Sequence, residues 1–284
     1  MFLPVLIYYG MFHYAPMYGM QIAFKDYTTY DGILKSPWIG FENFKVFFNS
    51  IYFFRLVRNT FVISFLDIIL GFPVPIIFAL FLNELRINSF KRTVQTISYM
   101  PHFISTVVIC GMILDFCSRR GVINILIGFF GVEPIIFMTE PKWFPWVYVL
   151  SGVWQHFGWS SIVYLGALTA IDPQLYEAAS IDGANLWHKL VHVTIAGILP
   201  TIMIMLILRM GQVFSVGSEK ILLLYNGATY ETADVISTYV YRRGLVEANY
   251  SFSAAVGFFN SIINFTMLLT FNRISKKVTE VGLF

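Results

Sequence analysis

Residues 176–190 read YEAASIDGANLWHKL, a polar stretch within a chain that is otherwise strongly apolar. Asp172 and Pro173, just upstream, are placed to begin a helix, because an aspartate caps free amides and proline is tolerated in the first turn. Gly183 can adopt the positive φ that ends a helix. The pattern predicts two short helices that meet at Gly183, with the second helix leading into the next apolar segment.

The composition around this stretch is that of a membrane protein. Hydrophobic residues make up 57% of the 284 residues and charged residues only 12%, whereas about 25% of the residues in soluble domains are charged. The formal net charge is +3, with no long basic or acidic run. We therefore expect the lipid bilayer to surround the chain, and we expect no nucleic-acid partner.

The apolar residues are distributed as in an all-α, polytopic membrane protein with six transmembrane helices. A spanning helix needs roughly 20 mostly apolar residues. Six segments meet that requirement, at about 2–24, 60–82, 94–117, 144–168, 198–217 and 252–271. The quoted stretch shares a face with both termini, and the longer loops at 25–59, 118–143 and 218–251 share the other face. We treat residues 1–284 as one domain, with a loop at about 170–197 that protrudes from the membrane.

The orientation rests on the bias of lysine and arginine toward cytoplasmic loops. The short loop NELRINSFKR at 83–92 and the C-terminal NRISKK at 272–277 are dense in these residues, although the long loops carry many as well. The quoted stretch is therefore predicted to face the cytoplasm. The opening MFLPVLIYYG lacks the basic region and the cleavage site of a signal peptide, and we expect a short cytoplasmic leader to precede it.

One long loop contains an apolar segment that is too irregular for a seventh span. Residues 121–137 read GVINILIGFFGVEPIIF, in which glycines and a proline interrupt the apolar run. Irregular backbone at membrane depth is tolerated only where protein buries it, so we predict an interfacial or re-entrant helix here.

Metal, redox and nucleotide chemistry have no motif in this sequence. Cys110 and Cys117 are seven residues apart, which on a helix separates their Cα atoms by roughly 10 Å, too far for a disulfide. No CxxC pair, no zinc-spaced Cys/His cluster and no phosphate-binding G-x-x-x-x-G-K-[ST] loop occurs. We predict no metal site and no cofactor in this chain, so that any ATP hydrolysis must come from another polypeptide.

The quoted stretch has the properties of a docking element. A turn of a few residues would be enough to join two spans, and the alanines allow another surface to approach closely. Leu186, Trp187 and Leu190 recur at roughly helical spacing and are suited to fill a groove on a partner. The alternative is an amphipathic helix that lies on the lipid surface.

The segment EAASIDGA, residues 177–184, matches the EAAxxDGA signature of the permease subunits of binding-protein-dependent ABC importers. The resemblance extends over nearly the whole chain, through FHYAPMYGMQIAFKDY at 12–27, RNTFVISF at 58–65, ISYMPHFIS at 97–105 and YNGATYETADVISTYVYRRGL at 225–245. These stretches resemble the sugar-importer permeases, and among them the subgroup associated with oligosaccharide and polysaccharide uptake, which includes alginate importers.

The resemblance implies the partners and the location of the protein. It implies a bacterial cytoplasmic (inner) membrane complex with a second, homologous permease, two ATPase subunits that bind ATP and Mg²⁺, and an extracytoplasmic solute-binding protein that delivers a saccharide. The protruding loop would be the coupling helix that inserts into the ATPase. The residues that the resemblance assigns to this contact are Glu177, Ala178, Ala179, Asp182 and Gly183, with Trp187 and Leu190 as apolar anchors.

The chain departs from the family pattern in one place. Where the pattern continues to I-x-L-P, this sequence has Val193, Thr194, Ile195 and Ala196, so alanine replaces the expected proline. Pro200, four residues later, is the alternative source of a helix irregularity at the base of the fifth span.

Ionisable residues within spans are costly and usually functional or paired. The sequence places Asp67, His102, Asp115, His156 and Arg209 in or near the predicted spans. Arg209 lies deeper in the fifth span, and two hypotheses apply to it: a structural ion pair with Asp67, or a role facing a water-filled path. For Asp115, near the end of its span, and for His156, access to water is the alternative.

A saccharide path requires hydrogen-bonding groups and aromatic faces. The fourth span offers Trp154, Gln155, Phe157 and Ser161, and the sixth offers Asn260 and Asn264, which share one helical face. Each has a structural alternative, because aromatic residues are abundant in this chain and an asparagine in a span often bonds a neighbouring helix.

Two other classes of function remain as alternatives to a permease subunit that catalyses no reaction itself. An intramembrane enzyme would need a motif such as HExxH or GxSxG, and neither occurs. An autonomous secondary transporter is often built from inverted repeats, and no internal repeat is evident.

Overall fold

Helices account for the regular structure of the chain in its computed structural model, which describes residues 2–279 and 282–283. Within these residues, β-type pairing is limited to an isolated antiparallel bridge between Lys25 and Trp38. The prediction of an all-α fold is confirmed.

The α-helices, in chain order, are α1 (Leu3–Tyr9), α2 (Ala15–Met17), α3 (Gly32–Lys35), α4 (Glu42–Phe48), α5 (Phe53–Leu66), α6 (Pro73–Glu84), α7 (Asn88–Tyr99), α8 (Thr106–Phe116), α9 (Val122–Gly128), α10 (Phe144–Thr169), α11 (Pro173–Ile181), α12 (Leu186–Lys189), α13 (Ala196–Met210), α14 (Ser218–Leu224), α15 (Tyr230–Ala233), α16 (Ile236–Tyr241) and α17 (Tyr250–Thr279). Tighter 3-10 segments cover Tyr18–Phe24, Met100–Phe103, Phe137–Thr139 and Pro141–Trp143. Wider π segments cover Gly10–Tyr14, Asp67–Gly71, Leu190–Ile195 and Arg242–Val246.

Several of these segments join end to end into helices that can cross a membrane. Among the described residues, Phe53–Glu84, Leu186–Met210 and Tyr250–Lys277 are long and apolar enough on their own, and a bent pair formed by α7 and α8 makes a fourth candidate. The two other predicted spans are α10, which has 26 residues but many polar and aromatic side chains, and the N-terminal helical segment. Each of the six predicted segments contains helix, and the polytopic membrane fold is confirmed.

The predicted span 94–117 is not one straight helix. It bends by 102° between the 3-10 turn that follows α7 and the start of α8. Pro101 lies in that turn and has no N–H to continue the helix. Ser105 then begins a new helix, where its side chain accepts a hydrogen bond from the amide of Val108. The prediction of a single helix was therefore wrong at this segment.

The fifth span in the structure also has different bounds from the predicted 198–217. The helix is already formed at Leu186 and ends at Met210, so residues 211–217 are outside it. Gly211 lets the chain pass the last span closely, because a Cβ there would lie 2.6 Å from Leu268 Cδ1. Pro200 lies inside the helix, and the π segment that precedes α13 provides the irregularity at its base.

The segment 121–137 forms a short helix followed by a turn and chain without regular secondary structure. Helix α9 has only seven residues, which is too short to span a membrane. Buried Asn124 holds the segment together, because its amide group donates to the carbonyls of Ser118 and Ile135 at 2.8 Å and 2.7 Å. The absence of a seventh span at this segment agrees with the sequence prediction.

Helix α10 packs against α5, α6, α7 and α13 and so occupies the centre of the bundle. Gly158 makes the approach to α7 possible, because a Cβ there would lie 2.2 Å from the carbonyl oxygen of Ser98. Phe144 and Val149 of α10 are buried in the same core as Ile221 of α14. The loop that carries α14 is therefore folded into the bundle.

Candidate functional site

The protruding loop folds as its sequence predicts. Asp172 caps α11, because its Oδ1 accepts a hydrogen bond of 2.9 Å from the amide of Gln174. The helix ends at Ile181, and Gly183 then turns the chain with a φ of +76°. The amide of Ala184 then donates to the carbonyl of Ala179 at 2.9 Å and closes the turn. Asn185 caps α12, so two helices meet at the glycine, as expected.

Side-chain contacts brace this loop against the helix that follows it. The Tyr176 hydroxyl lies 3.0 Å from Thr194 Oγ1, and Lys189 Nζ donates to Ser180 Oγ at 2.7 Å. Ile171 packs on Gly197 so closely that a Cβ at the glycine would lie 2.9 Å from Ile171 Cδ1. The loop is therefore a compact unit fixed to the base of α13.

The tip of the loop exposes large apolar side chains. Ile181 is 87% exposed, Leu186 84% and Trp187 68%. Of the residues predicted to contact a partner, five are exposed and two, Ala179 and Leu190, are half-buried; the exposed ones are Glu177, Ala178, Asp182, Gly183 and Trp187. Apolar groups clustered at an exposed tip are typical of an interaction surface.

A cavity of about 380 Å³ lies deeper in the molecule, between α5, α10, α13 and α14. Along α10 its lining extends from Tyr148 to Tyr164, which is roughly 24 Å at 1.5 Å per residue. Four of the five ionisable residues predicted within spans line it, namely Asp67, His102, His156 and Arg209. Asp115 does not.

The carboxylate of Asp67 and the guanidinium of Arg209 form an ion pair in the cavity wall. The side chains are 30% and 48% exposed, so the pair faces the cavity and is not sealed in the core. Asp67 begins a π segment whose last residue, Gly71, leaves room for the carboxylate, since a Cβ there would lie 3.0 Å from Asp67 Oδ1. The predicted ion pair between Asp67 and Arg209 is confirmed. The pair also faces the cavity, as the second hypothesis for Arg209 requires.

An aromatic surface lies beside this ion pair. The rings of His102 and Trp159 stack with centroids 4.6 Å apart and an angle of 2° between their planes. His156 Nδ1 lies 3.1 Å from His102 Nδ1. All three residues line the cavity, so it offers a flat face together with hydrogen-bonding nitrogens.

Lys220 is a cavity residue that the sequence interpretation missed. It lies on α14, in a predicted extramembrane loop, yet its Nζ donates to the carbonyl of Tyr148 at 3.0 Å and lies 4.9 Å from the centroid of the Tyr148 ring. Gly152 lies next to the ammonium group, since a Cβ there would be in contact with Nζ at 3.4 Å. Burial lowers the pKa of Lys220 to about 8. Nothing in the local sequence distinguishes this lysine from those on exposed loops.

Only two of the predicted path residues, Phe157 and Arg209, line the cavity. Phe157 packs edge to face against Phe78, with ring centroids 4.8 Å apart. Three of the others are buried with partners of their own: Gln155 donates to the carbonyl of Ile104, Ser161 donates to the carbonyl of Gly158, and Asn264 accepts from the amide of Phe214. Trp154 is exposed, and Asn260 has a buried Oδ1 that has no hydrogen-bond partner among the described residues.

Comparisons with known proteins agree with this arrangement. Residues 71–280 match the model of the family described as binding-protein-dependent transport system inner membrane component. The chain is 43% identical over 285 residues to the polygalacturonan/rhamnogalacturonan transport system permease protein YteP of Bacillus subtilis (strain 168), an alignment that covers 100% of this chain and 89% of that one. It is 42% identical to protein LplB of the same organism, with coverage of 99% and 89%.

A solved structure has the same fold. It is the crystal structure of a bacterial alginate ABC transporter in complex with alginate pentasaccharide-bound periplasmic protein. The matched chain superposes with a TM-score of 0.91 at 41% identity, over 99% of this chain and 94% of that one. A second structure, of a bacterial ABC transporter involved in the import of the acidic polysaccharide alginate, matches with a TM-score of 0.89 at 42% identity, over 98% and 94% of the two chains.

Proposed function

Because this chain belongs to the family of binding-protein-dependent transport system inner membrane components, we propose that its cavity carries a saccharide and that its protruding loop docks an ATPase subunit. The chain is a permease subunit of an ABC importer and not an enzyme. The relatives are permeases for saccharides, and an oligosaccharide or polysaccharide is therefore the proposed substrate.

One observation supports a mechanical link between the two sites. The helix Leu186–Met210 is continuous, with exposed Trp187 near one end and cavity-lining Arg209 at the other. These residues are roughly 33 Å apart at 1.5 Å per residue. Because a packed helix moves as a rigid body, a displacement of the loop by an ATPase would be transmitted to the cavity wall.

The rest of the machine is proposed from the family. A second, homologous permease would complete the translocation path, two ATPase subunits would bind ATP and Mg²⁺, and an extracytoplasmic binding protein would deliver the substrate. The protruding loop would face the cytoplasm of a bacterium, in its inner membrane. Glu177, Ala178, Ala179, Asp182 and Gly183 would form the ATPase contact, and Trp187 and Leu190 its apolar part.

Reconstitution with these partners in liposomes tests the proposal. In Gly183→Asp, a side chain is forced into a positive φ and a charge is placed at the tip of the loop, so saccharide-stimulated ATP hydrolysis should be abolished. Gly131→Asp is the matched control, because Gly131 also has a φ of +76° and has open space around its Cβ position. It should retain stimulation.

Two outcomes would count against this assignment. Equal stimulation in Gly183→Asp and wild type would mean that the loop is not the coupling element. Ion-driven saccharide uptake by this chain alone, without ATPase subunits, would favour an autonomous secondary transporter.

A further inference from the structure

Lys220 holds a positive charge that the described part of the chain does not neutralise. Among the described residues that line the cavity, the only carboxylate is that of Asp67, and it is paired with Arg209. No ion pair joins Lys220 to a carboxylate among the described residues. The cavity therefore has an excess cation in its wall, and a partly buried charge is costly unless something pairs with it.

The hydrogen bond of Lys220 does not stabilise a group that would otherwise lack a partner. Its hydrogen-bond acceptor, the carbonyl of Tyr148, belongs to the continuous helix α10 and already accepts the amide of residue 152 in the helical pattern. The Ser151 hydroxyl also lies 3.0 Å from this carbonyl oxygen, so the lysine is a further donor to an acceptor that does not need one. Lys220 and Gly152, which lies beside its ammonium group, both line the cavity.

The same cavity has a surface that suits a sugar ring. His102 and Trp159 form a stacked, flat aromatic pair, and Phe157 lies on the same helix as Trp159. An aromatic face binds the apolar face of a pyranose ring, whereas the ammonium group selects for a negative charge on the same ligand.

We propose that this cavity is a subsite for a uronate unit of an acidic saccharide, in which the sugar carboxylate pairs with Lys220 and the ring lies near Trp159. The proposal rests on the proposed import function and adds the charge of the substrate to it. A carboxylate of the second permease subunit is the alternative partner of Lys220, and the experiment separates the two.

Direct binding to the assembled transporter, in nanodiscs and without the binding protein, tests this subsite. The probes are an oligogalacturonate and its methyl ester, which have the same rings and differ in charge. Calorimetry should show that wild type binds the acid form about tenfold or more tightly than the ester, as expected for a charge-assisted contact. Lys220→Gln should remove that preference, and Lys220→Arg should retain most of it.

Lys142→Gln is the matched control. Lys142 also lies over an aromatic ring, that of Trp143, but it is exposed and paired with Glu140. This variant should bind both probes as wild type does. Basal ATP hydrolysis by each assembled variant reports whether the complex has folded.

Three results would overturn the proposal: equal affinity of wild type for both probes, no measurable binding of the acid form, or an undiminished preference in Lys220→Gln. If Lys220→Gln instead prevents assembly with the second permease while Lys220→Arg assembles, the lysine pairs across the subunit interface. If neither saccharide stimulates ATP hydrolysis in the complete transporter with its binding protein, the import function itself fails, which is a different result.

Discussion

The protruding loop and the cavity wall lie at opposite ends of the helix Leu186–Met210, but they are held together in different ways. In the loop, Tyr176 bonds to Thr194 and Lys189 to Ser180, so each contact joins residues that are near in sequence. In the wall, Asp67 and Arg209 are 142 positions apart and Tyr148 and Lys220 are 72 apart.

This difference indicates how the two regions respond to the same motion. The loop is closed on itself by these contacts, so we expect it to move as one unit. The cavity wall is made of contacts between separate helices, so a shift of one helix changes the distances between the groups that face the cavity. A rigid-body displacement of the loop would therefore change the shape of the cavity.

The largest effect is expected where α10 passes α7. In Gly158→Ala, the new Cβ would lie 2.2 Å from the carbonyl oxygen of Ser98. The clash must push α7 and α10 apart, and α10 lines the cavity. We expect destabilisation at the upper end of about 1–3 kcal/mol and loss of transport, measured by thermal unfolding and uptake. Gly166→Ala, on the same helix with open space around it, should be nearly neutral. Equal behaviour of the two variants would contradict the packing argument.

A smaller, purely functional effect is expected at the tip of the loop. Trp187→Ala removes a side chain that is 68% exposed, so folding stability should change by less than about 0.5 kcal/mol. The affinity for the ATPase subunit should fall by about tenfold, because tryptophan often dominates an interface. Leu34→Ala, at an 80% exposed site in a loop on the predicted opposite face, is the control for co-purification with the ATPase. Normal ATPase affinity in Trp187→Ala would favour the lipid-facing alternative.

The ion pair between Asp67 and Arg209 in the cavity wall is expected to contribute less to the free energy of unfolding. A double-mutant cycle with Asp67→Asn and Arg209→Gln should give a coupling energy of about 1 kcal/mol, because Arg209 is 48% exposed and solvent weakens the attraction. Thermal unfolding of the single and double variants provides the measurement. A coupling energy near zero would mean that the two residues act independently.

The smallest effect is expected at the brace between the loop and its helix. Tyr176→Phe removes a hydroxyl that lies 3.0 Å from Thr194 Oγ1, at a cost of about 0.5–1 kcal/mol. Amide hydrogen exchange in α11 should become several-fold faster, whereas exchange around the cavity should be unchanged. Tyr30→Phe, at a side chain that is 96% exposed, should alter neither. Faster exchange at both ends of the helix would show that the two regions are not separable.

The helix boundaries show where sequence patterns were sufficient. Asp172, Pro173 and Gly183 act on their own backbone neighbours, so their effects could be read from the sequence. The bend after Pro101 was missed because hydropathy continues through it, although the proline and the helix-capping Ser105 were both visible.

The cavity shows where sequence patterns were not sufficient. Of the residues that the sequence suggested for a saccharide path, Arg209 and Phe157 line the cavity, whereas Gln155, Ser161 and Asn264 have other partners. Lys220 was not considered. A polar side chain on an apolar helix carries no information about which neighbour it faces, because that depends on how the helices are rotated against one another.

The sequence by itself therefore determined the class of the protein, the approximate positions of its helical segments and the form of the protruding loop, because hydropathy and capping act over a few residues. Only the tertiary structure decided which groups share the cavity. The pairing of Asp67 with Arg209, the stacking of His102 on Trp159 and the entry of Lys220 each require helices from distant parts of the chain to pack at one particular rotation. That rotation is set by close contacts such as Gly158 against Ser98, which no local pattern specifies.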